Sequence, residues 1–314
     1  MLEHRTLTYT KNEVSHSFDY FHLLQANQEE IQSIATKFDI PEDFITRGLD
    51  SYEVARFETY TNKNNEEFTL SLFNYPFKEQ TQNFRDVYRT APIAIVTKPG
   101  VVIITSLDSL ESLDNMTDVS LNSFEGVDEL GLMLNILWFV SRLYIHLLEE
   151  IDQEIRDLEM AVTETTKNDI FYGLMKLNKA LVFFHSGINN NQAVLNRLKE
   201  QFKEMDADEF DFRLLRDVNV ELHQASGMVN ELKQFNEKVS DILSNVVNNN
   251  MNQIMRVLTV WSIILTIPAI IGGFWGMNVP VPGEGAGSSM LIISVITIGL
   301  MGVCYWLFKR NKWM

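Results

Sequence analysis

The sequence predicts an α/β sheet domain, continued by a long helical stalk and two helices that cross a membrane near the C-terminal end. Three observations predict it. First, no residue from Val257 to Gly283 is charged, and none from Gly285 to Phe308. Each stretch is long enough to cross a hydrocarbon core of roughly 30 Å, which takes about 20 helical residues. Second, the first part of the chain sets short runs rich in Phe, Tyr, Val, Ile and Thr between turn residues, the pattern of strands. Third, no proline occurs between Pro99 and Pro268, and so long a proline-free stretch points to helices.

Strands are expected over residues 2–9, 18–25, 54–60, 68–75, 93–97 and 101–106, with a helix over 28–38 and a short one over 41–49. Thr97-Lys98-Pro99-Gly100 is a turn joining the last two strands. These elements make a sheet domain over residues 1–125. Apolar residues at helical spacing then predict a helical hairpin over 126–210, with arms 130–165 and 170–205 and a turn at Lys167-Asn168-Asp169. Its first arm carries Glu149, Glu150, Asp152, Glu154, Asp157 and Glu159. Such a run is ordinarily a solvated face.

From Asp211 the apolar residues become regular: Val218, Leu222, Ala225, Val229, Leu232, Val239, Ile242 and Val246 recur at three- and four-residue steps. No break signal separates this seam from the first span. A single helix over 211–275 is expected, ~95 Å long at about 1.5 Å per residue. A helix of that length is unstable alone and must pack on the hairpin or on copies of itself. A loop over 276–289, a second span over 290–308 and a basic tail over 309–314 complete the chain.

Composition narrows the function. The mean hydropathy of −0.06 is too polar for a mostly embedded protein, so the apolar mass of the last fifth belongs to the spans. The N-terminus has no apolar core of a signal peptide, which places the soluble part in the cytosol as an expectation. Arg256 flanks the first span and Lys309, Arg310 and Lys312 flank the second, whereas the linker carries Glu284 and no Lys or Arg. Positive residues mark the cytoplasmic side, so both termini are expected inside. The net charge of −16 argues against a nucleic-acid partner and suits either cation handling or plain solubility. The one cysteine, Cys304, lies within the second span, so no intrachain disulfide forms, and no Cys/His metal-ligand spacing exists. No phosphate-binding glycine loop or nucleophile–base pair is present, so neither an enzyme nor an organic cofactor is expected.

In the first span the small and polar residues share a face. At about 100° per residue, Asn252, Met255, Thr259, Ser262, Thr266, Ile270 and Gly273 form one stripe, and Val257, Val260, Ile264 and Ile271 lie opposite. Hydroxyls, an amide and a glycine on one face suit water or another helix rather than lipid. Two spans cannot enclose a pore, so an oligomer is required, with the first span inside and the second facing lipid. Leu258, one step off the stripe, and Met255 would make an apolar constriction near the cytosolic mouth, where dewetting gates. Ala269 lies at the same face. Asn278 would put carboxamides at the outer mouth, where neutral oxygens bind the water shell of a hydrated cation without stripping it. Gly276 is expected to let the backbone turn at the helix end.

The tripeptide Gly276-Met277-Asn278 between two terminal spans resembles the signature of the CorA-type divalent-cation transporters. Asn252-Gln253-Ile254-Met255-Arg256-Val257-Leu258-Thr259 is similar to that family's approach to its first membrane helix. Pro268 lies near the middle of that helix, as in the family. The end, Phe308-Lys309-Arg310-Asn311-Lys312-Trp313-Met314, is similar to the family's aromatic-basic terminus. The resemblance is sharp over 252–314. It implies a funnel-shaped homopentamer in the cell membrane. It implies a channel for Mg²⁺, with Co²⁺ and Ni²⁺ as further ions, driven inward by the membrane potential and gated by cytosolic Mg²⁺. It implies a selectivity filter at Gly276, Met277 and Asn278. Arg216-Asp217-Val218 resembles the family's Arg-Asp-Val, which implies a regulatory Mg²⁺ held between subunits by Asp217; the sheet domain offers Asp86 as its partner. Read without the resemblance, Asp217 is a solvated acid beside Arg213 or Arg216. Trp275 stands where the family commonly has Tyr, and the linker lacks the acidic loop of many members. Two other readings stay open at this point: a zinc transporter of the same superfamily, against which Met277 counts, and a membrane-anchored cytosolic sensor that conducts nothing.

Overall fold

The computed structural model describes residues 2–11, 14–50, 53–80, 86–107, 127–164, 168–202, 209–277 and 288–311. The chain divides into two compact units, Met1–Ser240 and Asp241–Met314, with the division inside one long helix.

The first unit is built on a six-stranded sheet. Its strands are β1 (Leu2–Lys11), β2 (Val14–Leu24), β3 (Arg56–Thr61), β4 (Glu67–Gln80), β5 (Asp86–Lys98) and β6 (Val101–Ser106), in the order β1-β2-β6-β5-β4-β3. Only β2 and β6 run parallel. One face carries α1 (Gln28–Phe38), α2 (Glu42–Thr46) and a 3₁₀ turn, Arg47–Leu49. Asn27 caps α1 by accepting from Glu30 N at 2.9 Å, and Glu30 Oε2 accepts from Asn27 N at 3.1 Å. Ile31, Ile34, Phe44 and Ile45 pack there on Leu70, Leu72, Ala94 and Val96. The alternate residues Phe73, Tyr75, Ile93 and Ile95 are equally buried on the other face. Burial on both faces explains why these strands read as continuous apolar runs.

Strands β4 and β5 extend well beyond the expected 68–75 and 93–97. Pro76 and Pro92 made both look shorter, since proline removes a ladder donor. Asn74 lies beyond the end of the β3–β4 pairing, which stops at Arg56 opposite Leu72. Two helices serve its backbone instead: Asn74 N donates to Asn191 Oδ1 at 2.8 Å, and Asn74 O accepts from Asn191 Nδ2 at 2.7 Å and from the Tyr144 hydroxyl at 3.1 Å.

Those side chains come from the helical hairpin, α3 (Glu129–Glu164) and α4 (Asn168–Phe202). Asn168 and Asp169, expected in the turn, open α4. The acidic run of α3 is largely paired. Glu150 meets Lys78 at 2.8 Å, Glu154 meets Lys176 at 3.2 Å, and Asp152 meets Arg156 at 3.0 Å. Tyr88 donates to Glu154 at 2.5 Å, and burial pushes its phenol well above the ordinary tyrosine range.

His22 gives the fold a pH dependence. It is buried, 2.9 Å from Ser106 Oγ, and burial holds its pKa below the ordinary value against the pull of Glu3. The unfolded chain therefore binds a proton that the folded chain refuses. Stability is expected to be full above about pH 6.5 and to fall as pH drops below it. Thermal unfolding between pH 8 and pH 5 checks this, with a flatter profile expected for His22→Gln.

Among the described residues, three helices are long and apolar enough to cross a membrane: Glu129–Val162, Phe212–Trp275 and Met290–Arg310. The first, unforeseen as such, is a core helix. Most of its apolar window is buried in the fold, against almost none of the other two.

The long helix α5 runs without interruption from Glu209 to Trp275. In the first unit its seam, Leu215, Val218, Leu222, Ala225, Val229, Leu232 and Val239, is buried. The hairpin ties to it through Arg142 and Glu221 at 3.6 Å, Gln192 and Asn219 at 3.3 Å, and Asn236 Nδ2 and Leu174 O at 3.3 Å. Ile242, expected in the seam, is exposed, and Leu243 is buried in its place. The buried positions step by three and four residues through Asn236, so Ile242 falls one residue out of phase.

Candidate functional site, a polar stripe on the first span

The second unit holds the end of α5 and the last helix, α6 (Ser289–Arg310). On α5, Val260 and Ile264 are buried and Val257, Ile267 and Ile271 are half-buried, one stripe at three- and four-residue steps. On α6 the half-buried positions are Ile293, Thr297, Met301, Cys304 and Phe308, again one stripe. Everything else described on the two spans is exposed.

The expected polar stripe lies on the uncovered side. Asn252, Met255, Leu258, Thr259, Ser262, Thr266, Ala269, Ile270 and Gly273 are all exposed. A polar face left open on a helix between charge-free flanks is costly in hydrocarbon, where no water partners it. The hydroxyls are already donors: Thr259 Oγ1 to Met255 O at 2.7 Å, Ser262 Oγ to Leu258 O at 2.8 Å, and Thr266 Oγ1 to Ser262 O at 2.7 Å. Their protons are committed to the helix, so the oxygens present lone pairs outward as acceptors. Acceptors suit the outward-pointing protons of a cation's water shell. Pro268 sits inside the same helix and leaves the carbonyl of Ile264 without its helical donor.

The stripe also continues upstream. Steps of four and three residues lead back from Asn252 through Asn248 and Asn245 to Asp241, all exposed. A reading begun at Asn252 leaves these out, and a repeat of seven carried backward is the signal that finds them.

At the outer end α5 stops at Trp275. Gly276 does not adopt a positive φ; its N–H continues the helical pattern to Gly272 O at 2.9 Å. Gly276 thus forms the turn that follows the helix without a left-handed backbone, and a side chain here would crowd Gly272 O, at 3.2 Å from an added Cβ. Met277 follows, exposed, with its N–H 3.4 Å from Phe274 O. Asn278 lies outside the described residues.

Asp217 is exposed on α5 and has no ion-pair partner among the described residues, so neither Arg213 nor Arg216 holds it. Asp86 opens β5 opposite Gln80, and its side chain lies outside what is described. Among the described residues, no three His, Cys, Asp or Glu side chains of one chain are grouped to hold a metal ion. A metal at Asp217 would need ligands from elsewhere, as a site shared between protomers does.

Comparison with known proteins follows this geometry. The cobalt/magnesium transport protein CorA of Methanocaldococcus jannaschii is 25% identical over 293 residues, covering 91% of this chain and 88% of that protein. The protein of the same description from Thermotoga maritima is 28% identical over 174 residues, 54% of this chain and 49% of its own. The complete structure of the CorA magnesium transporter from Methanocaldococcus jannaschii is similar in fold, with a TM-score of 0.77 at 21% identity and 98% of both chains covered. The model of the CorA-like Mg²⁺ transporter proteins matches residues 15–310, and the chain belongs to that family.

Proposed function

We propose that the chain is the protomer of a homopentameric channel that passes Mg²⁺, with Co²⁺ and Ni²⁺ as further ions, into the cytosol. The observation that carries this reading is the uncovered stripe of amide, hydroxyl and small residues that leads to Gly276-Met277-Asn278. One protomer leaves that stripe open, and a ring of protomers turns it toward a shared axis. The number five rests on the family resemblance. Met255 and Leu258 form the apolar constriction, and Asn278 supplies the outer ring of oxygens. The termini are cytoplasmic by the distribution of Arg256, Lys309, Arg310 and Lys312.

No chemical energy source is required. One charge moving through 100 mV gains about 2.3 kcal/mol, and a divalent ion gains twice that. Mg²⁺ crosses with its waters, because it sheds them reluctantly and carboxamides bind the hydrated ion weakly enough to release it.

Purified protein in liposomes, with an inside-negative potential, tests this reading against each ion in turn. Uptake of Mg²⁺ above that of protein-free vesicles is expected. Uptake of Zn²⁺ alone would favour a zinc transporter, and no uptake of any ion a sensor that conducts nothing.

Regulation is read at Asp217. Carboxylates that meet across a protomer interface repel, and a bound divalent ion offsets this and favours the closed state. Asp217→Lys sets a fixed cation there. Its currents are expected to lose inhibition by cytosolic Mg²⁺ while assembly stays intact, and an unchanged inhibition curve would move the regulatory site elsewhere.

A further inference from the structure

Asparagine is a poor helix former, and α5 carries Asn245, Asn248, Asn249, Asn250 and Asn252 in close succession. Three asparagines elsewhere in the helical part are anchored: Asn230 to Ser226 O at 2.9 Å, Asn236 to Leu174 O at 3.3 Å, and Asn191 to the backbone of Asn74. Those of this run are exposed and have no hydrogen-bond partner among the described residues. No residue from Ile242 to Met255 is charged, so the run sits in a charge-free stretch between Asp241 and Arg256. Local helix preference is given up here with no return inside the chain, which is how functional positions show themselves.

Phase separates the members of the run. Asn245 and Asn248 continue the stripe of Asn252, Met255, Thr259 and Ser262 at alternating steps of three and four. Asn250 falls on the opposite side of the helix, roughly 180° away at about 100° per residue. We propose that Asn245 and Asn248 are further pore-lining residues, two additional carboxamide positions inward of Asn252 that carry a hydrated divalent cation from the apolar constriction toward the cytosol. The inference rests on the proposed pore and deepens it. A constriction that gates by dewetting needs wet surfaces on both sides. Below Met255, Asn252 is the first polar position on this face, and Asn248 and Asn245 are the polar positions between it and Asp241. A carboxylate there would hold the ion and a lysine would repel it, whereas a neutral amide accepts from the ion's water and lets it go.

Asn248→Leu and Asn250→Leu in liposomes test this with one chemical change on two faces of one helix. Leucine is the better helix former, so neither change weakens the helix by itself. Mg²⁺ flux is expected to fall about tenfold in Asn248→Leu, the size of one lost net hydrogen bond at the barrier. Asn250→Leu is expected to conduct as wild type, and Asn248→Gln to restore most of the flux by returning an amide. Asn245→Leu repeats the test one turn away if Asn248→Leu fails to assemble. Flux within twofold of wild type in Asn245→Leu and Asn248→Leu overturns the inference, as does an equal loss in Asn248→Leu and Asn250→Leu. A wild type that moves no ion is a different result, and it removes the pore together with these positions.

Discussion

Asn278→Ala is expected to reduce Mg²⁺ uptake to the level of protein-free liposomes while leaving the oligomer intact. On the proposed reading the ion reaches the outer mouth with its water shell on, and the shell's protons must find oxygens there. A ring of methyl groups accepts nothing, so the barrier to leaving bulk water rises with no compensating contact. The same position as aspartate should behave differently: tighter binding, slower release and flux limited by exit. Size-exclusion chromatography in detergent reports assembly and a Mg²⁺-sensitive dye in the vesicles reports uptake. Wild-type flux from well-assembled Asn278→Ala would sink the assignment of the filter.

Gly48→Ala should be strongly damaging to the first unit. Gly48 sits in the 3₁₀ turn against β6, where an added Cβ would lie 2.3 Å from the carbonyl oxygen of Thr105 and 2.9 Å from its carbonyl carbon. These are backbone atoms of a strand paired on both sides, to β2 and to β5. Neither neighbour yields as a flexible side chain does. The cost is set at about 3 kcal/mol, the upper end of ordinary overpacking. For a unit of this size that lowers the unfolding midpoint by about 6–12 °C. Gly227→Ala is the matching control, since nothing lies within 4 Å of a Cβ there and the glycine is in mid-helix. It should raise the midpoint. A Gly48→Ala midpoint within about 2 °C of wild type would show that the turn moves away from β6 without cost.

The parts legible in the sequence were those governed by one local rule. Charge-free length marked both spans, and β6 reads directly as a β-branched run before a helical region. Where two rules competed, the reading slipped. Pro76 and Pro92 argued against strand, yet β4 and β5 run through them, because a strand tolerates a proline where no neighbour needs its N–H. Ile242 looked like the next apolar member of the seam, but phase rather than hydropathy decides burial, and Leu243 holds the phase. Asn236, buried in the middle of that seam, could not be told from a surface asparagine without its partner, the carbonyl of Leu174. Gly276 suggested a backbone freedom that the helix end does not use. On the candidate site, the face of the stripe was readable from periodicity alone, and its extension to Asn245 and Asn248 was readable by the same period carried further back.

The apolar core helix α3 has a consequence for how the chain is made. It leaves the ribosome well before either true span, and it is long and apolar enough for the insertion machinery to accept. Taken up as a span, it would shift every later segment to the opposite side of the membrane. The order of synthesis guards against this. All six strands precede α3, so the sheet face on which it packs exists before it emerges, and domains fold N-terminal part first as they are translated. A sheet slow to close would leave α3 waiting in the open, and lesions within the sheet domain, Gly48 among them, would then act as errors of topology rather than of conduction.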